Sequence, residues 1–91
     1  MDIDDANHRL VALGMHLEKD LNNWEAWAAK ADILCSIGMH DVAIRCCERS
    51  LSLNPSNVLT WMTKGLALEK LGNHEEAKAA FAKARELGHI G

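Results

Sequence analysis

The chain has 91 residues, of which 48% are hydrophobic and 25% are charged, and its formal net charge is −3. This composition is too apolar and too weakly charged for a disordered chain, and the length predicts one domain at most. Because the sequence is slightly acidic and has no run of Lys or Arg, nothing in it favours binding to nucleic acid or to an anionic membrane surface.

The first predicted element is a leading helix over residues 5–20, inside a leading segment that spans residues 1–22. Its apolar residues recur at the three- and four-residue spacing of a helix. They are Leu10, Leu13 and Leu17. Asp2 and its acidic neighbours precede this helix, where a signal peptide would carry positive charge and then an apolar stretch. We therefore expect no targeting or membrane-anchoring segment.

Two helices are predicted next, over residues 23–37 and 41–53, because apolar residues again recur in helical steps. Gly38 lies where the first should end, since glycine tolerates the left-handed conformation that closes a helix. Pro55 ends the second, because proline cannot donate a hydrogen bond to the preceding turn. Asn22 has capping-box spacing to the glutamate three residues later and is predicted to cap the first of these helices.

The last two predicted helices, over residues 57–71 and 74–87, repeat the previous pair at an offset of 34 residues. Seven positions are identical when residues 24–57 are shifted onto residues 58–91, where about two would be expected from average composition. The identical pairs are Trp27 with Trp61, Lys30 with Lys64, Leu34 with Leu68, Gly38 with Gly72, His40 with His74, Ala43 with Ala77, and Leu53 with Leu87. Repeat one is therefore assigned to residues 23–57 and repeat two to residues 58–91.

These residues resemble the tetratricopeptide repeat family, whose pattern is W-x2-L-G-x2-Y…A-x3-F…P. The sequence reads Trp27-x2-Lys30-Ala31-x2-Leu34, Ala43-x3-Cys47 and Pro55 in repeat one, then Trp61-x2-Lys64-Gly65-x2-Leu68 and Ala77-x3-Phe81 in repeat two. Departures from the pattern, such as lysine for leucine, leave the period unbroken. The resemblance implies an all-α, right-handed superhelical array in a single domain, with five helices: the leading helix and two helix-turn-helix repeats.

Small residues recur in both repeats because two helices approach closely only where side chains are short. Ala31 and Gly65, on the first helix of each repeat, are expected to face Ala43 and Ala77 on the second. The repeat-equivalent tryptophans are interpreted as structural residues in like environments rather than as binding residues.

In this family the first helices of the units line a concave groove that holds an extended peptide or a partner helix, so the resemblance implies such a groove here. Helical phase assigns to it Glu25, Ala28, Ala29, Asp32 and Ser36 from repeat one, with Leu59, Met62, Thr63 and Leu66 from repeat two. One wall is small and acidic, and the other is apolar and includes a flexible methionine suited to an adaptable binding surface. The alternative interpretation is that the apolar stripe packs sideways between neighbouring helices.

The best-known peptide-binding members of the family grip an acidic C-terminal tail with a clamp of Lys, Arg and Asn. The corresponding positions here are Ala28, Asp32 and Thr63. An aspartate repels a carboxylate and an alanine side chain donates no hydrogen bond, so this clamp is missing. Any peptide ligand is therefore expected to be apolar, neutral or basic, and the absence of Lys and Arg from the groove argues against RNA.

No arrangement for catalysis, a cofactor or a metal ion is recognisable in the sequence. His8 and His16 lie about 12 Å apart along the leading helix, which is too far to share one metal ion. The sequence has neither a nucleophile elbow nor a glycine loop that could cradle a phosphate. We therefore expect no enzyme activity, no cofactor and no bound metal.

The three cysteines are an odd number, and Cys46 and Cys47 are neighbours, which fits no disulfide framework. A reducing, cytoplasmic setting is the natural interpretation. Cys47 takes the slot of Phe81 in repeat two and is expected in the core, while Cys35 is expected beside the groove.

Charged residues lie on both outer flanks of the predicted array. Arg9 fills a slot that is alanine in both repeats, and Lys78 and Arg85 replace Ile44 and Leu51, which in repeat one should pack against the following unit. Polar flanks favour a self-standing or terminal module, because the end units of a solenoid need a polar outer face. The alternative is that these are ordinary surface charges of a fragment from a longer array.

The predicted function is a non-enzymatic adaptor or scaffold that binds a protein or peptide segment in the groove. The alternative is a self-association or structural module, because fewer than three full repeats bury limited core and a homodimer would add more. The polar flanks argue against end-to-end stacking. The chain is therefore expected to be a monomer or a homodimer, with neither nucleic acid nor a membrane as partner.

Overall fold

The computed structural model describes residues 2–88, which form five α-helices and no strand. The helices are α1 (Ile3–Lys19), α2 (Trp24–Ser36), α3 (His40–Leu53), α4 (Val58–Lys70) and α5 (His74–Gly88). Every predicted helix is present, with ends that differ by at most two residues, so the all-α array of five helices is confirmed. Residues 89–91, the last of the second predicted repeat, lie outside the described residues.

Two asparagines, 34 residues apart, cap the first helix of each repeat. The Asn23 side chain accepts a hydrogen bond from the Ala26 amide at 3.1 Å, and the Asn57 side chain accepts one from the Leu59 amide at 3.2 Å. The prediction that Asn22 caps α2 is therefore wrong by one residue. Its amide instead donates to the side chain of Asp20 at 3.0 Å, which fixes it in the preceding turn.

Gly38 and Gly72 end α2 and α4 with backbone φ angles of +88° and +84°. After each glycine, an amide reaches back five residues, from Met39 to the Leu34 carbonyl and from Asn73 to the Leu68 carbonyl, both at 2.9 Å. This is the Schellman closure, in which a left-handed residue turns the chain back on its helix. The predicted role of both glycines is confirmed.

The helices pack in a chain of neighbours, with one additional contact that skips an element. α2 packs against α1, α3 and α4, while α4 packs against α2, α3 and α5. The first helices of the two repeats therefore lie beside each other, and their exposed sides form a common surface. This contact between α2 and α4 positions the candidate site.

Small residues fill the interior of each hairpin, in two different combinations. Ala31 and Ala43 are fully buried in one cluster with Cys47. In the second hairpin Gly65 lies directly against Phe81: a Cβ atom on this glycine would be 2.7 Å from Phe81 Cε1. Repeat one thus pairs a methyl group with a thiol, whereas repeat two pairs a bare backbone with an aromatic ring.

The repeat-equivalent tryptophans occupy like environments, as predicted. Trp27 Nε1 donates to the Leu21 carbonyl at 2.9 Å, and Trp61 Nε1 donates to the Pro55 carbonyl at 2.8 Å. In each repeat the lysine three residues later places its ammonium 5.4 Å from the indole centroid, within the range of a cation–π contact. The lysine departures from the family pattern therefore cover the tryptophan rings.

Candidate functional site

The exposed sides of α2 and α4 enclose a groove of about 460 Å³, which we name the α2–α4 groove. Its volume lies within the usual range for ligand-binding clefts. It is lined by Ala28, Ala29, Asp32, Asn57, Leu59, Thr60, Met62, Thr63 and Leu66. Seven of the nine residues that helical phase assigned to the groove are therefore brought together by the fold.

The other two assigned residues, Glu25 and Ser36, do not line this groove. Glu25 lines a smaller depression of about 270 Å³ beside α1, together with Leu13 and His16. The Ser36 hydroxyl donates to the Ile33 carbonyl at 2.7 Å. Both residues lie in the terminal turns of α2, whereas only the middle of this helix borders the groove.

The structure adds Asn57 and Thr60 to the groove lining. The side-chain oxygen of Asn57 is engaged in capping α4. Thr60 is only 2% exposed, and its hydroxyl has no hydrogen-bond partner among residues 2–88. The available signal was the repeat alignment, in which Thr60 falls on Ala26, a buried alanine. A hydroxyl in an apolar repeat slot costs free energy unless it is satisfied, which distinguishes this position.

The apolar wall of the groove is open to solvent. Leu59 is 72% exposed and Leu66 is 51% exposed, with Met62 between them on the same side of α4. Neighbouring helices leave these side chains uncovered, so sideways packing does not describe them. Three large apolar side chains on one face of a helix form the kind of exposed patch that marks an interaction surface.

Asp32 is the charged side chain in the groove lining, and its field reaches Cys35 behind it. Burial raises the pKa of the Cys35 thiol, Asp32 raises it further, and Lys70 partly opposes them. The Cys35 sulfur lies 3.8 Å from His40 Nδ1, on the core side rather than among the lining residues. A thiol whose pKa is raised stays protonated near neutral pH, which disfavours a nucleophilic role.

The other two cysteines belong to the core. Cys47 is fully buried as predicted, and burial raises its pKa to about 12. Cys46, for which the sequence gave no expectation of burial, is buried as well, and burial is the main cause of its raised pKa. All three thiols are free in the structure.

Two structural features bear on other kinds of site. Within residues 2–88, His, Cys, Asp and Glu side chains form no cluster of three that could coordinate a metal ion. None of the helices in this part of the chain is both long and apolar enough to span a bilayer.

Two family models, both described as tetratricopeptide repeat, match the chain over residues 25–57 and 46–79. Together they cover the two hairpins from the start of α2 to the middle of α5. The match follows the same 34-residue period that relates the capping asparagines, the closing glycines and the tryptophans.

Several solved structures of MamA are similar to the chain. One, described as a crystal structure of MamA, has a TM-score of 0.90 and 28% identity and covers 97% of this chain and 52% of its own. MamA MSR-1 has a TM-score of 0.88 and 25% identity, covering 97% of this chain and 51% of its own. A crystal structure of MamA protein has a TM-score of 0.86 and 29% identity, covering 96% of this chain and 48% of its own. The chain thus spans about half the length of these relatives.

Proposed function

The chain belongs to the tetratricopeptide repeat family, and from this premise we propose that it is a non-enzymatic adaptor that binds a segment of a partner protein in the α2–α4 groove. The family consists in general of protein-interaction and scaffold modules. The proposal adds the place of binding and the chemistry of the ligand. The three free thiols also fit a reducing, cytoplasmic location for this activity.

The observation that carries the proposal is the exposed apolar wall of Leu59, Met62 and Leu66 opposite the small side chains of α2. Covering these side chains would remove apolar surface from water, which is favourable at about 25 cal/mol per Å². The alanines opposite leave room for a ligand backbone to approach closely. A groove with one adaptable apolar wall and one low wall suits an extended peptide or one face of a helix.

Charge further restricts the proposed ligand. Asp32 lies in the low wall, and the groove lining contains no Lys or Arg. A peptide carboxylate would be repelled there, whereas a lysine or arginine two or three positions from an apolar anchor would be attracted. We therefore assign the groove to apolar segments that carry a basic residue.

A peptide selection tests this assignment directly. Random peptides displayed on phage would be selected against the wild-type protein, and the winners measured against Leu59→Glu, Leu66→Glu. Both substitutions alter residues that line only this groove. We expect apolar sequences with Lys or Arg, binding the variant at least about tenfold more weakly, which corresponds to about 1.4 kcal/mol. Asp32→Lys should weaken the basic peptides selectively.

The matched control is Val11→Glu, Met15→Glu, which places the same charges on exposed apolar residues of α1. Binding to this control should equal binding to wild type. Selected peptides that bind all three proteins alike, or a selection dominated by acidic sequences, would overturn the proposal. Circular dichroism of each variant verifies that the helices remain intact.

Self-association is the second candidate function, and one observation favours it. α1 packs against α2 alone, and its outward residues Val11 and Met15 are exposed. A second copy covering them would add to the limited core of two repeats. Sedimentation at two concentrations separates the candidates: a monomer throughout supports the adaptor, and a dimer that Val11→Glu, Met15→Glu dissociates supports self-association.

A further inference from the structure

A second cleft, of about 480 Å³, lies between α4 and α5 on the outer flank of the second hairpin. We name it the α4–α5 cleft. Its lining residues are Val58, Met62, Lys78, Phe81, Ala84 and Arg85. Phe81 and Met62 give it an apolar floor, and the two cations lie on α5.

The repeat itself shows what such a cleft can hold. Shifted by 34 residues, Lys78 corresponds to Ile44 and Arg85 to Leu51 on α3. In the first hairpin this flank is occupied, because α4 packs against both α3 and α2. Ile44 contacts the buried clusters of both hairpins, which places it at this junction. The α4–α5 cleft is therefore the equivalent of a surface that already receives a helix.

Charge distinguishes the two surfaces. Leu51 is buried and Ile44 is half-buried, whereas Lys78 and Arg85 are exposed. Lys78 Nζ lies 3.7 Å from Glu75 Oε1, but these side chains are 76% and 91% exposed, so the pair is weak. Arg85 forms no ion pair with any residue between 2 and 88. A purely apolar helix in this cleft would remove water from two cations without replacing it, which is unfavourable.

We propose that the α4–α5 cleft binds an amphipathic helix of a partner protein, with an apolar stripe over Phe81 and Met62 and two acidic residues that pair with Lys78 and Arg85. Seven residues separate these cations on α5, or about 10.5 Å along its axis. The acidic residues of the partner are therefore spaced two helical turns apart. This site is separate from the α2–α4 groove and takes a ligand of opposite charge.

The packing of α4 on α3 provides the design of a probe. Ala67 shares a buried cluster with Cys46 and Cys47, against which Ile44 also packs. Helices joined by a short turn run antiparallel, so the buried Thr60, seven residues earlier, lies toward Leu51. A peptide of residues 58–71 carrying Thr60→Glu and Ala67→Glu would thus place its carboxylates at Arg85 and Lys78.

The test is a charge exchange measured by fluorescence anisotropy with labelled, end-blocked peptides. The acidic peptide, the unchanged peptide and a basic peptide with Thr60→Lys and Ala67→Lys would be titrated with wild-type protein and with Lys78→Glu, Arg85→Glu. Wild type should bind the acidic peptide at least about fivefold more tightly than the basic one, since two partly exposed ion pairs are gained. The variant should reverse this order.

Two further measurements locate the peptide. Leu66→Glu alters the α2–α4 groove without touching the α4–α5 cleft and should leave binding of the acidic peptide unchanged. Loss of binding in Leu66→Glu, or equal binding of all peptides to wild type and charge-reversed protein, would overturn the proposal. A dimer of the protein alone that Lys78→Glu, Arg85→Glu dissociates would assign the cleft to a second copy and would also overturn it. None of these results depends on the peptides selected for the groove.

Discussion

Gly65 is the residue at which the sequence has least freedom. An alanine there would place its Cβ 2.7–2.9 Å from three atoms of the Phe81 ring. We predict that Gly65→Ala lowers the free energy of unfolding by about 1–2 kcal/mol, because overpacking outweighs the better helix propensity of alanine. Urea denaturation followed by circular dichroism measures this change.

Gly14 provides the control for this prediction. It lies in α1 with nothing within 4 Å of an added Cβ, so Gly14→Ala should stabilise the protein by about 0.5–1 kcal/mol. Phe81→Leu should reduce the penalty of Gly65→Ala, since residues in contact do not act additively. Two glycine substitutions with the same sign and size would show that the ring does not restrict this position.

At the scale of the helices, both hairpins are anchored by the same bond from a tryptophan to the preceding turn. We predict that Trp27→Phe and Trp61→Phe destabilise the protein by similar amounts, roughly 1–2 kcal/mol each, since each removes one hydrogen bond and part of a buried ring. Thermal and urea denaturation of the two variants gives the comparison.

Trp24→Phe is the matched control, because the Trp24 indole donates no hydrogen bond to any residue between 2 and 88. Its effect should be smaller than that of either repeat-equivalent substitution. A loss for Trp27→Phe at least about 1 kcal/mol different from that for Trp61→Phe would contradict equivalent roles, given the usual size of one hydrogen bond.

The helices themselves were predictable because each is written in local features. Apolar spacing located all five, and the glycines marked two ends through a requirement for positive φ. The capping position of α2 was misplaced because Asn22 and Asn23 both carry a capping side chain. Only the geometry of the turn, in which Asp20 binds the Asn22 amide, decides between them.

For the whole molecule, the pattern of helix contacts predicts unequal local stability. α1 packs against one helix, whereas α2 packs against three. We predict that amides of α1 exchange with deuterium at least about tenfold faster than those of α2, through local opening that leaves both hairpins folded. Hydrogen–deuterium exchange with mass spectrometry resolves the individual helices.

Leu17→Ala extends this test, because Leu17 is a buried residue of α1. It should accelerate exchange in α1 while leaving α4 and α5 unchanged. Ala82→Gly, on the exposed side of α5, is the control and should affect only its own helix. Identical protection of α1 and α2 in wild type would mean that the five helices open as one unit.

The groove could be predicted only as far as one helix determines it. The phase of α4 correctly placed Leu59, Met62, Thr63 and Leu66 on one surface. Which turns of α2 meet that surface depends on how the two helices stack, and this is a tertiary property. Thr60 was missed for the same reason.

The pairing of a bare backbone with a ring has a consequence for hybrid proteins. Joining α2 to α5 would push the Ala31 methyl into the aromatic group, whereas joining α4 to α3 would leave a void above Cys47. Single-helix chimeras of the two units should therefore fold poorly, and exchange of intact pairs should succeed. Natural drift at these positions obeys the same order: the large partner has to shrink before the glycine can grow.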